Sequence, residues 1–156
     1  MSLDLHLPAH GRGQGLAPAL RRLLQAPPGS WDLPELPGIG GPLLGDGAVA
    51  ASQRLAAQRL GAEHCWYGVN GASGLLQAAL LAIAPPGSRV LLPRNVHRCV
   101  LHACVLGQLE PLLYGLPFEA ATGLWRPPSA AHLQRVLQAA QACGPVAAVV
   151  LVSPTY

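Results

Sequence analysis

The sequence predicts an α/β fold: a mostly parallel sheet flanked by helices, entered through an irregular N-terminal arm. Three observations predict it. Helical and strand periods alternate from Ala48 onward, the strand segments are apolar on both faces, and the first 47 residues are rich in Gly and Pro. Strands apolar on both sides belong to sheets covered by helices on both faces, and alternation of the two element types is the pattern of parallel crossovers. At 156 residues there is room for one domain with a real core.

The arm, residues 1–47, contains "PAHGRGQGLAPAL" and "QAPPGSWDLPELPGIGGPLLGDG", and predicts one short helix over Leu16–Gln25. Glycines at 11, 13 and 15 miss the GxGxxG spacing and follow no strand, so they read as a flexible turn. From Ala48, "AVAASQRLAAQRLGA" places Val49, Ser52, Leu55, Ala56, Arg59 and Leu60 at helical spacing, with Gly61 at the C-terminal cap. "EHCWYGV" reads as a short strand, "SGLLQAALLAIA" as a largely buried helix, "PPGS" as a turn and "RVLLP" as a strand. "HRCVLHACVLG" is a helix ending at Gly107, and "LEPLLYG" is a strand. A Pro-rich loop from Pro117 to Pro128 leads to Ser129 as N-cap of the helix "AAHLQRVLQAAQAC", and "VAAVVLV" is the last strand.

Composition removes several function classes. Half of the residues are apolar and about a tenth are charged, so part of the surface is expected to meet other protein. All ten basic residues are Arg, scattered without a stripe or interleaved aromatics, which argues against nucleic acid. "MSLDLHLPAH" lacks the pattern of a signal peptide, and the apolar runs 75–84 and 146–152 are shorter than the roughly 18–20 residues of a membrane span. A soluble, cytoplasmic protein without membrane contact is expected. Cys65, Cys99, Cys104 and Cys143 form no CxxC pair and are expected as reduced, buried apolar residues, and the alternative metal site within "HRCVLHAC" lacks a second ligand pair. No metal is therefore expected.

Ligands of such sheets sit beyond the carboxyl ends of the strands, and three of those ends carry chemistry. In "VNGASG", Gly71 permits a sharp turn, Ala72 and Gly74 are small, and Ser73 adds a hydroxyl where free N–H groups of a helix point outward. Those features suit a phosphate, and equally a plain turn with a Ser cap. In "PRNVHRCV", Asn95 suits a turn and His97 stands at a helix entrance, either as a simple helix-start residue or as an imidazole able to stack on a heteroaromatic ring. Arg94 beside it steers an anion or is solvated. "SPTY" brings Ser153, Thr155 and Tyr156 to the same rim.

The stretches "LHLPAHGRGQG", "WDLPELPG", "AQRLGAEHCWYGVNGASGLLQAALLA", "PPGSRVLLPRNVHRCVLHACVL" and "SPTY" resemble the Orn/Lys/Arg decarboxylases, pyridoxal-phosphate enzymes of aminotransferase-like fold. The resemblance covers nearly the whole chain and lies in the N-terminal part of their major domain. It implies that residues 48–156 form an incomplete pyridoxal-phosphate-binding α/β domain and 1–47 an arm. It further implies that Gly71, Ala72 and Ser73 hold the cofactor's phosphate, that His97 stacks on its pyridine ring in a catalytic role, and that Thr155 lies close to it. His10 falls on a histidine of the family's opening motif. The family commonly has Thr where Ala72 stands, Gly where Ala9 stands, and Lys near Gly11 and Arg12, and "GGPLLGDG" replaces a more polar segment.

In this family a Lys forms the Schiff base with the cofactor and an Asp pairs with its ring nitrogen, both beyond the position of Tyr156; the sequence here contains no Lys. The expectation is a decarboxylase of a basic amino acid, lysine, ornithine or arginine, present as an N-terminal fragment and inactive alone. Its partners are expected to be a small amino-acid substrate and, in the intact family, identical subunits. Two alternatives stand beside it: a non-catalytic remnant or assembly partner of a full-length enzyme, and an aminotransferase-like enzyme with another substrate.

Overall fold

A computed structural model describes residues 13–154 of the chain, which divides into two compact units, Met1–Tyr67 and Gly68–Tyr156. In the first unit, helix α1 (Pro18–Gln25) begins with proline in its first turn, where a missing N–H costs nothing. A 3₁₀ turn follows at Pro28–Ser30, and then helix α2 (Gly47–Leu60). Gly61 closes α2 with φ +65°, the left-handed cap expected of it. The buried positions of α2 are Ala50, Gln53 and Ala57, whereas Leu55 and Leu60 are exposed. Gln53 explains the choice of face: its amide donates to the Pro42 carbonyl at 3.1 Å and accepts from the Tyr67 backbone N–H at 2.7 Å.

That second bond also explains a correction. Residues 63–69, expected as a strand, form none; the Tyr67 N–H goes to a side chain instead of a neighbouring strand, and no ladder partner exists among the described residues. Trp66 is exposed, and in the second unit so is Val69, so alternation alone does not make a strand where nothing pairs with it.

The second unit contains helix α3 (Gly71–Ile83), strand β1 (Arg89–Pro93), helix α4 (Arg98–Leu106), strand β2 (Glu110–Tyr114), a small hairpin of β3 (Phe118–Glu119) and β4 (Leu124–Trp125), helix α5 (Ala130–Gln141) and strand β5 (Val146–Val149). The sheet order is β2-β1-β5, all parallel, with Leu91 level with Leu112 on one side and Val149 on the other. The turn 85–88, with Gly87 at φ +79°, delivers the chain into β1. The β3–β4 hairpin lies inside the segment expected to be loop; Arg126 and Thr122 both hydrogen-bond the Glu119 carboxylate and pull its pKa below the usual range.

Strand β1 is the centre: Val90, Leu91, Leu92 and Pro93 are buried. Val90 and Leu92 face a core of Leu80, Ala84, Cys99, Val100, Ala103, Cys104 and Leu109, so α3 and α4 cover that side. Tyr114 lies level with Pro93 and therefore on the opposite face, where its ring meets His132 of α5, so α5 covers the other side. The layered α/β architecture is as expected. The burial of α3 is not: only Leu80 is buried, while Leu75, Leu76, Leu81 and Ile83 are exposed, because α3 packs on α4 and β5 along a single stripe. Of the cysteines, Cys99 and Cys104 are buried as expected, Cys65 is half-buried, and Cys143 is exposed beyond the end of α5.

Candidate functional site

The site is built at the carboxyl edge of the sheet, from the start of α3 outward. Asn70 is the N-cap residue of α3, and its carbonyl accepts from the Gly74 N–H at 3.3 Å. The amides of Gly71, Ala72 and Ser73 precede the first intrahelical bond and have no partner among the described residues. All three residues are exposed. Gly71 adopts φ +65°, which no side chain enters cheaply, and Gly74 leaves room for Asn70, whose Cβ would stand 2.6 Å from a Cβ at position 74. The Asn70 side chain makes no cap bond, and Ser73 is the third helical residue, so Ser73 is not the cap. Three amides without partners among the described residues, with Ser73 beside them, stand at the positive end of a 13-residue helix, an arrangement chemically able to accept an anion.

His97 stands at the start of the neighbouring helix. It is the N-cap residue of α4, and its Nδ1 accepts the Cys99 backbone N–H at 3.2 Å. That bond fixes the imidazole's orientation, and the residue is exposed. The helix-start reading of His97 from the sequence holds: its side chain caps α4. The α3 and α4 starts share one edge, because Gln77, one turn beyond Ser73, donates from Nε2 to the Cys99 carbonyl at 3.3 Å.

The loop after β1 carries Arg94, exposed, whose N–H donates to the Tyr114 carbonyl, and Asn95, within a turn closed by the Val96 N–H on the Pro93 carbonyl. Beyond the end of β5 at Val149 the Val150 N–H still donates to the Leu91 carbonyl, and the chain runs on to Ser153, which is exposed. Thr155, Tyr156 and His10 lie outside the described residues. Among those described, no three His, Cys, Asp or Glu side chains converge as a metal group would need, and no helix is long and apolar enough to cross a membrane.

Two contributors escaped the sequence reading. Gln77, the polar residue inside "GLLQAALLAI", is the tie between the two helix starts. Tyr114, a hydroxyl-bearing residue at the end of an aliphatic strand, is buried and donates to the Val150 carbonyl at 3.0 Å, holding the end of β5. Burial pushes its phenol pKa up. In each case the signal was a polar group in an apolar run.

Known proteins share this sequence pattern and this fold. Residues 4–156 match the family described as Orn/Lys/Arg decarboxylase, major domain. An arginine decarboxylase of Bacillus cereus is 25% identical over 154 residues, covering 99% of this chain and 33% of that protein. One from Bacillus subtilis is 30% identical over 110 residues, covering 70% of this chain and 22% of its own length. The solved constitutive lysine decarboxylase of E. coli superposes with a TM-score of 0.59 at 20% identity, over 88% of this chain and 21% of that one. The chain thus spans about a third of the length of the Bacillus cereus relative.

Proposed function

The chain belongs to the Orn/Lys/Arg decarboxylase family, and on that premise we propose that its second unit binds pyridoxal 5'-phosphate at the carboxyl edge of the sheet, as part of the machinery that decarboxylates a basic amino acid. One observation carries the reading: the unbonded, exposed amides of Gly71, Ala72 and Ser73 stand at the same sheet edge as the exposed, oriented ring of His97.

The residues present fit the cofactor. A phosphate takes the three N–H donors and the Ser73 hydroxyl, while Ala72 contributes its backbone alone. The His97 imidazole, held through Nδ1, offers a flat face to a pyridine ring. Bound in such a seat, the cofactor supplies an electron-withdrawing ring that stabilises charge at an amino-acid Cα as its carboxylate departs. The role of this chain's residues is to bind and orient. With no Lys in the sequence, this chain supplies no side-chain amine for a Schiff base, and alone it is expected to release no carbon dioxide from arginine, lysine or ornithine.

Equilibrium dialysis against pyridoxal phosphate tests this. Saturable binding is expected, weakened about tenfold by Ser73→Ala, which removes a hydrogen bond to a charged group. Unchanged affinity in both Ser73→Ala and His97→Ala overturns the proposal.

A second reading, assembly with further polypeptide such as an identical subunit, is favoured by the exposed Leu75, Leu76 and Ile83 of α3 beside the half-open β5. Sedimentation showing a monomer at micromolar concentration speaks against it.

A further inference from the structure

In the loop between β1 and α4, both polar atoms of the Asn95 side chain, Nδ2 and Oδ1, are buried and have no hydrogen-bond partner among the described residues. Buried amides are almost always bonded, and one left with an idle donor and an idle acceptor is a standing loss to the free protein. The turn does not use it: that is closed by backbone alone, Val96 N–H to Pro93 carbonyl.

Topology gives the position a meaning. From β1 the chain passes through α4 to β2 on one side, while β5 lies on the other, so the order β2-β1-β5 reverses at β1. The crevice between the carboxyl ends of β1 and β5 is the switch point where open α/β sheets take their ligands. Leu91 lies level with Val149, the last residue of β5, so the loops that follow β1 and β5 leave the same edge of the sheet. The residue as a whole is half-buried.

We propose that Asn95 is a further binding residue of this site, its amide supplying one donor and one acceptor to the polar edge of the bound pyridoxal phosphate in the crevice between β1 and β5. The inference rests on the binding function proposed above and adds a residue to it. Asn95 is a group kept unsatisfied in the free chain and satisfied by the ligand, so stability and affinity pull in opposite directions there.

The test uses the full chain and Asn95→Leu, which has the same branched shape without polar atoms, with Asn95→Asp as the second variant. Expected for Asn95→Leu is a free-chain Tm raised by about 4 °C together with affinity for pyridoxal phosphate in equilibrium dialysis lowered about tenfold. Asn95→Asp, which keeps the acceptor but sets a negative charge near an anionic ligand, is expected to lose at least as much affinity. A lowered Tm for Asn95→Leu, or affinity equal to that of the unaltered chain in either variant, overturns the inference while leaving the site reading intact. If the unaltered chain itself shows no saturable binding, the site reading fails and this inference with it.

Discussion

Replacing a helical glycine with alanine ordinarily stabilises a protein by about 1 kcal/mol, through helix propensity. Gly74→Ala is expected to do the opposite. The new Cβ would stand 2.6 Å from Asn70 Cβ, whereas unstrained carbon contacts lie near ~3.5–4.0 Å, so the N-cap must retreat by about 1 Å. The Gly74 N–H bond to the Asn70 carbonyl, already 3.3 Å, then passes out of hydrogen-bonding range. Strain of about 1–3 kcal/mol and a lost bond of about 1 kcal/mol outweigh the propensity gain, leaving a net loss of about 1–3 kcal/mol. Urea unfolding followed by far-ultraviolet circular dichroism reads this directly. A variant as stable as the unaltered chain, or more so, refutes the packing argument at the start of α3.

Other outcomes follow from the core and from Tyr114. Leu92→Ala empties a fully buried position beneath α3 and α4 and is expected to cost about 2–5 kcal/mol by the same urea assay. Because burial raises the Tyr114 phenol above its ordinary pKa of 10.0, its contribution to stability is full below that value and lost as pH rises through the higher folded value. Stability measured from pH 9 to 11 should therefore fall less in Tyr114→Phe than in the unaltered chain, while at pH 7 the lost bond to the Val150 carbonyl costs about 1 kcal/mol.

The sequence made the second unit's crossovers legible because β1 and α4 carry unambiguous local signals: Pro85–Gly87 before an aliphatic run, and Gly107 after a helical one. Ser129 was readable as an N-cap because its hydroxyl does accept the His132 N–H. The segment 63–69 was not, since a strand exists only with a partner, and Gln53 claims the Tyr67 N–H through a contact no local pattern encodes. Nor was the β3–β4 hairpin, two residues to a strand and held by Glu119 with Arg126 and Thr122, long enough to show a period. At the site, the small residues of "NGASG" announced the amide seat. The adjacency of His97 depended on Gln77, and the idle amide of Asn95 on burial, neither of which has a sequence period.

The measurement that bears most directly on the proposed seat is a titration of the ¹⁵N-labelled chain with pyridoxal phosphate, followed by amide resonances. Saturable shifts centred on Gly71, Ala72, Ser73 and the neighbourhood of His97 are the expected result. Shifts that fail to saturate, or that centre on any other part of the chain, contradict it.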